Sequence, residues 1–397
     1  MKILITTDTY APIINGVVTS ILNLTRALTA LGHTVRILTL ASDASSERRQ
    51  DNVYYLPSLK CGIYPDARVT FPFRSSVLRD IEAWSPDIIH SQSEFSSFLC
   101  AKHLAKRAGV PLIHTYHTLY EDYTHYFCPN QQLGVLAVRG FTRMISRSVS
   151  LLCAPSVKVQ RTLLDYGISA PISVLPTGID LSHFTAPVSE RDCAARKRAL
   201  GLPSDCHVLL ALGRLAKEKN YDELLDNAAP LLREMENVYL VIVGDGPYRA
   251  DIAAAVCARG LSDKVRMTGM VSAEEVPTYY HMSDVFLCAS SSETQGLTYL
   301  EAMACGLPQI VRRDACLDGV IVNGRNGYQY ETPEECRAYL DKLLSHASIR
   351  HEISHNAVID ADQFGMETFG RRAETRYLAL VQHEALRHPA LICERGI

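Results

Sequence analysis

The chain has 397 residues, 47% hydrophobic and 21% charged, with a formal net charge of −3; this supplies two packed cores and predicts a folded two-domain protein. The negative total and the lack of a recognisable binding module argue against nucleic acid as a partner. Twelve cysteines without C-x-x-C pairs or zinc spacing predict reduced, mostly buried thiols, which favours the cytoplasm over a disulfide framework.

From the N-terminus, MKILITTDTY carries one lysine and then an apolar strand too short for a signal peptide. No window approaches the roughly 20 apolar residues of a membrane span, so any membrane contact is expected to be peripheral. Apolar β-like runs then alternate with amphipathic helical stretches, the pattern of parallel sheets flanked by helices. One series of strands is expected at 2–7, 34–40, 87–90, 110–116, 151–154 and 172–175, and a second at 207–212, 239–243, 265–267, 285–288 and 309–311. The turn-forming Pro176-Thr177-Gly178 divides them. After Phe364 the chain reads as helix to about Arg387.

The densest chemistry lies in Ser290 to Pro308, SSSETQGLTYLEAMACGLP. Behind the apolar run from Val285 to Cys288, a polar turn leads to a helix that starts near Gly296. A helix start after a parallel strand turns unpaired N–H groups and the positive dipole end toward the ligand crevice of an α/β fold, which suits a diphosphate. Glu293 and Glu301 flank that anion: Glu301, roughly one turn into the helix, is placed for a ribose diol, and Glu293 nearer a sugar. The plain alternative makes Glu293 a helix-capping acid and Glu301 a solvated helix residue. Arg214 and Lys219 follow the strand at 207–212, where two cations neutralise a diphosphate leaving group, unless they are ordinary surface cations. Gly16, between first strand and first helix, either admits close approach by phosphate or sugar or is a turn glycine. The Gly244-Asp245-Gly246-Pro247 turn reads as architecture beneath the site. Asp360-Ala361-Asp362 sits in the helical C-terminal region and reads as a solvated helix face, so no metal site is expected.

These segments carry a resemblance. Glu293 and Glu301 match the E-x7-E signature of the retaining glycosyltransferases of family 4, which have the GT-B fold. Further segments agree in order along nearly the whole chain: TDTYAPIINGV, HTYHTLYEDYTHY from His114 to Tyr126, LPTGID from Leu175 to Asp180, and GRLAKEKN from Gly213 to Asn220, followed by VGDGP from Val243 to Pro247. Asn15-Gly16 stands where the family usually has two glycines. The HTYHT–YEDY version resembles bacterial members that add glucose to diacylglycerol.

The resemblance implies an α/β GT-B fold of two Rossmann-like doubly wound domains facing a central cleft. The N-terminal acceptor and membrane domain would cover 1–175 and the donor domain 176–374, with a C-terminal helix, about 375–397, crossing back to the first domain. It implies a hexosyltransferase that carries glucose from UDP-glucose to 1,2-diacylglycerol, peripherally bound to the inner face of the cell membrane, with no cofactor and no required metal. Catalytic roles then fall to Glu293 and His117: Glu293 orients the sugar hydroxyls and His117 contacts the transferred sugar. Gly16, Arg214, Lys219, Gly296, Leu297, Thr298 and Glu301 bind the donor. A front-face reaction, in which the departing phosphate takes the acceptor's proton, is favoured over a covalent glycosyl-enzyme. His114 reads as structural, and His90 as a further histidine that could face the cleft. A glycosylated lipid or phosphoinositide acceptor and a UDP-galactose or GDP-mannose donor stay open. A sugar-nucleotide epimerase is disfavoured by the E-x7-E pattern and the basic acceptor half, and a non-catalytic relative by the presence of Glu293, Arg214 and Lys219.

Residues 1 to 180 hold 17 Lys and Arg against 13 Asp and Glu, a charge of +4, leaving −7 for the remainder. Arg139, Arg143 and Arg147 recur at i, i+4, i+8 among Leu136, Val138, Phe141, Met144 and Ile145. That describes either a basic amphipathic helix for an anionic lipid surface or a domain helix with a solvated cationic face, and the resemblance favours the first. Lys102, Lys106 and Arg107 add to it. Around Lys60 to Arg79, Tyr64, Phe71 and Phe73 mix with Arg68 and Arg74 as in an interfacial loop.

Overall fold

The apolar runs become parallel strands in the structure, a computed structural model that describes residues 1–13, 15–41, 47–60, 68–70, 75–121 and 130–387. Tyr64, Phe71, Phe73, Arg74 and the 122–126 part of the HTYHTLYEDYTHY segment lie outside the described residues. Two units form, Met1–Gly178 with the segment from Met366, and Ile179–Gly365.

In the first unit the strands are β1 (Lys2–Thr6), β2 (Thr34–Leu40), β3 (Arg48–Gln50), β4 (Val53–Leu56), β5 (Leu59–Lys60), β6 (Arg68–Val69), β7 (Ile88–Ser91), β8 (Leu112–Thr115), β9 (Leu151–Ala154) and β10 (Ile172–Val174). All but the small β5–β6 hairpin join one sheet in the order β10-β9-β8-β7-β1-β2-β4-β3. β1 has neighbours on both edges, Ile3 lying beside Val35 and beside Ile88, and its Ile3, Leu4 and Ile5 are wholly buried. A strand covered on both faces has to be apolar throughout, so KILIT shows no alternation. Its successive side chains still point to opposite faces. Leu4 packs with the layer of Ile81, Phe98 and Leu104. Ile3 and Ile5 pack with Ile21, Leu24 and Leu28 of the first helix, Gly16–Ala30.

The last helix, Met366–Arg387, belongs to that second layer. Phe369, Ala373 and Tyr377 complete the core beside Leu24 and Leu28. Arg376 donates to Ser173 Oγ at 2.8 Å and to the Val174 carbonyl at 2.8 Å, fastening the helix to β10. His90, at the end of β7, is fully buried, with Nδ1 2.6 Å from Tyr377 Oη and Nε2 2.7 Å from Thr115 Oγ1. It does not face a crevice as its strand-end position suggested; its ring ties two strands to the last helix. Tyr377→Phe leaves His90 Nδ1 without its partner and is expected to cost roughly 1–3 kcal/mol, read as a lower urea midpoint at unchanged slope.

In the second unit β11 (His207–Leu212), β12 (Val238–Val243), β13 (Val265–Gly269), β14 (Val285–Cys288), β15 (Gln309–Arg312) and β16 (Gly327–Tyr330) form a parallel sheet ordered β13-β12-β11-β14-β15-β16. Leu209 and Ala211 fill one face, Val208 and Leu210 the other. In both sheets the chain winds outward in opposite directions from a central pair, β1 and β7 in the first, β11 and β14 in the second. Loops leaving the carboxyl ends of those pairs diverge and open a crevice, which is where such sheets bind ligands. Among the described residues no helix is long and apolar enough to cross a membrane, and the nine described cysteines are free thiols, Cys257 alone among them being exposed.

Candidate active site

At the crevice of the second sheet, the loop after β11 carries Arg214 and Lys219, and the loop after β14 carries Glu293. The first loop is held by its backbone. Gly213 N donates to Val243 O at 3.0 Å, Leu215 N to Asp245 O at 3.0 Å, and Tyr248 N to Leu215 O at 3.0 Å. The approach is so close that a Cβ on Gly244 would stand 1.9 Å from the Gly213 carbonyl oxygen, and one on Gly246 2.3 Å from that of Leu215. The glycines of the VGDGP turn therefore seat the loop that presents Arg214. A short 3-10 turn, Lys217–Lys219, ends at Asn220, whose φ of 54° is in the left-handed region that Asn tolerates better than most residues. Its amide donates to Glu223 Oε2 at 2.5 Å.

Lys219 Nζ meets Glu293 Oε1 at 2.5 Å, with side chains 26% and 12% exposed. Burial works against the ammonium's charge, but the field and hydrogen bond of Glu293 more than offset it and hold Lys219 above its ordinary range. Arg214, about half exposed, pairs with Glu218, whose carbonyl accepts from Ser292 Oγ at 3.2 Å. The following helix, Leu297–Ala304, has Gly296 as its N-cap residue, which offers no side chain to cap it. Gly296 has φ +75°, and a Cβ there would stand 2.4 Å from the Tyr299 ring. Leu297 and Thr298 thus open the helix beside Glu293. Glu301 is not a solvated helix residue: Tyr280 Oη donates to its Oε2 at 2.8 Å, and burial raises its carboxyl above the usual range, opposed by that bond.

In the first unit, Gly16 opens its helix, with Asn15 as cap accepting from Val18 N at 2.9 Å. That bond is something a second glycine could not make. A Cβ on Gly16 would meet nothing within 4 Å. His117 Nε2 lies 2.7 Å from Gln92 Oε1, and burial pushes the ring down to about 4 against the opposing charge of Glu94. His114 is fully buried against Phe98. His90 and His117 are both neutral in the native state while unfolded histidine titrates near 6.5. The unfolded chain therefore binds more protons as pH falls below 6.5, and native stability is lost toward pH 4. Asp8, raised by burial to about 6, and Glu301, also raised by burial, act in the opposite direction, but Asp8 does so only below 6, a narrower span above pH 5 than that of the two histidines. A lower urea midpoint at pH 5 than at pH 7.5 is expected.

Residues 14–183 match the model for Glycosyltransferase Family 4, and residues 194–359 that for Glycosyl transferases group 1. The chain is 34% identical over 382 residues to alpha-monoglucosyldiacylglycerol synthase of Streptococcus pneumoniae, covering 95% of this chain and 86% of the relative. It is 30% identical over 396 residues to the enzyme of that name from Acholeplasma laidlawii, covering 96% and 98%. The chain belongs to glycosyltransferase family 4. Its fold is that of the Anabaena protein Alr3699/HepE, solved in complex with UDP and glucose, with a TM-score of 0.75 at 17% identity over 96% of this chain and 100% of that one. The architecture is GT-B: two Rossmann-like α/β units, with the C-terminal helix packed on the first.

In this glycosyltransferase the expected basic helix, Gln131–Ser146, is built differently from its sequence pattern. Arg139 pairs with Glu121 at 3.2 Å and lies over the Tyr166 ring, and Arg143 donates to the Tyr166 carbonyl, so both fasten the helix to its neighbours. Arg147, just past the helix end, is exposed. The outward stripe is apolar, with Leu133 60%, Leu136 62% and Met144 57% exposed. Asp360 is clasped by Arg325 at 2.8 and 2.9 Å and by Asn326 at 2.9 Å, which corrects its reading as a solvated helix face. Sequence reasoning passed over Gln92, Glu94 and Tyr120. Glu94 is 5% exposed and accepts from Tyr120 Oη at 2.7 Å. The signal was there in HSQSE, a run of polar residues at the end of an apolar strand next to the first.

Proposed function

We propose that this glycosyltransferase carries glucose from UDP-glucose to the free hydroxyl of 1,2-diacylglycerol at a membrane surface, with retention of the anomeric configuration. The observation that carries the reading is the Lys219–Glu293 pair at the crevice of the second sheet, in a chain similar over nearly its whole length to two alpha-monoglucosyldiacylglycerol synthases. Arg214 and Lys219 leave Glu218 and Glu293 to take the diphosphate, beside the uncapped start of the helix at Leu297 and Thr298. Gly16 leaves room for the ligand, Gly296 offers its backbone at the helix start, and Glu301, steadied by Tyr280, takes the ribose. Glu293, once Lys219 has turned to the diphosphate, orients the sugar hydroxyls and does not attack C1; in the first unit, neutral His117 is the residue proposed to contact the sugar. The C1–phosphate bond breaks while the acceptor oxygen bonds to C1 on the same face. The acceptor's proton passes to the leaving phosphate oxygen, and the cations stabilise the charge that develops there. The chain needs no metal or other cofactor in this scheme.

The enzyme works bound to the inner face of the membrane, with the stripe of Leu133, Leu136 and Met144 in the lipid interface and Arg147 toward anionic headgroups. Leu136→Ser with Met144→Ser is expected to lower co-sedimentation with anionic vesicles about tenfold, since each loses several buried CH₂-equivalents, while affinity for UDP is unchanged. The reading is tested by mass spectrometry of lipid extracted after incubation with diacylglycerol vesicles and each donor separately. Hexosyl-diacylglycerol from UDP-glucose is expected. Product only from UDP-galactose or GDP-mannose, or only from an already glycosylated or phosphoinositide acceptor, would replace it with the corresponding alternative.

A further inference from the structure

The crevice of the first sheet, between the loops leaving β1 and β7, holds polar groups that the donor scheme does not use. Gln92 and Glu94 follow β7, are 2% and 5% exposed, and each spends half of its planar group on the segment after β8. Gln92 Oε1 faces His117 Nε2 at 2.7 Å, and Glu94 Oε2 accepts from Tyr120 at 2.7 Å. The other halves, Gln92 Nε2 and Glu94 Oε1, are buried and have no hydrogen-bond partner. His114 Nε2 stands 3.5 Å from Glu94 Oε1 without forming a hydrogen bond. An orphaned donor and an orphaned acceptor two residues apart each cost free energy until something that both accepts and donates reaches them, and a hydroxyl is the simplest such group.

The charge around them narrows the ligand. Asp8, from the loop after β1, accepts from Ser97 N at 2.8 Å and from Phe95 N at 3.3 Å, which brings a second carboxyl beside Glu94. Among the described residues no Lys or Arg is hydrogen-bonded to Asp8, Gln92, Glu94, His117 or Tyr120. A phosphorylated head would bring like charge against carboxylates without a cation to receive it, whereas an uncharged polyol head fits.

We infer that Glu94 and Gln92 form the site for the acceptor's free hydroxyl and select an uncharged glycerol head against phosphorylated lipids. The inference rests on the diacylglycerol reading above. Gln92 Nε2 donates to the hydroxyl oxygen and Glu94 Oε1 accepts a hydrogen bond from the hydroxyl, which fixes the oxygen's position in the first unit.

Glu94→Gln keeps an oxygen for Tyr120 and replaces the open acceptor by a donor. Initial rates with diacylglycerol in vesicles are expected to show KM for the lipid raised about tenfold or more, with UDP affinity by calorimetry and the melting temperature essentially unchanged. Inhibition by the corresponding diacylpropanediol, which lacks the free hydroxyl, is expected to be unaltered in the variant, and inhibition by phosphatidic acid to strengthen. An unchanged lipid KM, or equal loss of affinity for the hydroxylated and deoxy lipids, would overturn the inference. If Glu94→Gln does not fold, Gln92→Ala read by the same lipid comparison decides the matter. Glycolipid formation by the unaltered protein is the internal control: its absence refutes the diacylglycerol reading and this site's ligand with it, whereas its presence beside an unaffected variant refutes the site alone.

Discussion

Replacing Glu293 by Ala is expected to lower glucosyl transfer roughly 10²–10³-fold, and Lys219→Ala to do at least as much. The two residues are 74 positions apart, yet their side chains are in contact and mostly buried. Removing the carboxylate leaves an ammonium without the partner that holds its charge, and removing the ammonium leaves a partly buried carboxylate unpaired. Each single change thus harms the site twice, by losing its own contact with the donor and by misplacing the survivor. The double variant is expected to be much less active than the unaltered protein but well above the product of the two single losses, because coupled groups are not additive. Steady-state kcat/KM for the four proteins checks this. Strict additivity would mean that the pair does not act as a unit.

Gly244→Ala is expected to be the most damaging single methyl addition in the donor-side loops, with Gly246→Ala beside it. At Gly244 the added carbon would lie 1.9 Å from a carbonyl oxygen, at Gly246 2.3 Å, and in both cases the obstacle is backbone that cannot rotate aside. Relieving the clash requires the β11 loop to lift from the β12 loop, breaking the bonds from Leu215 N and Tyr248 N. A loss of roughly 2–4 kcal/mol of stability is expected, together with loss of UDP binding as Arg214 is displaced. Gly16→Ala is the contrasting case, since its Cβ would meet nothing within 4 Å. It should leave the urea midpoint nearly unchanged and show its effect, if the ligand approaches there, in turnover alone. Urea unfolding and UDP calorimetry on the three variants separate the cases.

The central strands were legible because burial on both faces turns them into unbroken apolar runs: 34–40, 151–154, 207–212 and 285–288 were expected and found with those bounds. The edge strands were not. Arg48–Gln50 is wholly exposed and pairs on one edge only, so nothing in RRQ marks a strand. Gly327–Tyr330 begins with a glycine and ends the sheet. The family motifs identified Lys219, Glu293, Gly296 and Glu301 as residues to examine, but not that Lys219 and Glu293 touch, since that contact comes from the sheet order bringing β11 beside β14. Helical spacing grouped Arg139, Arg143 and Arg147 on one face without showing that Glu121 and the Tyr166 carbonyl already hold two of them. The wheel could not tell a cation facing water from one facing a neighbouring carbonyl. Gln92 and Glu94 went unread for the opposite reason. The polar run HSQSE marked their position, but the atoms Gln92 Nε2 and Glu94 Oε1 stand out by the bonds they do not make, which no spacing encodes.

The measurement that tests the central claim most directly is the proton NMR spectrum of the lipid formed from UDP-glucose and diacylglycerol in anionic vesicles, read at the anomeric position. The account predicts a single glucosyl-diacylglycerol with the small coupling of an α linkage, absent when Glu293→Ala replaces the unaltered protein. A β-linked product, or an α-linked product made equally well by the variant, would contradict it.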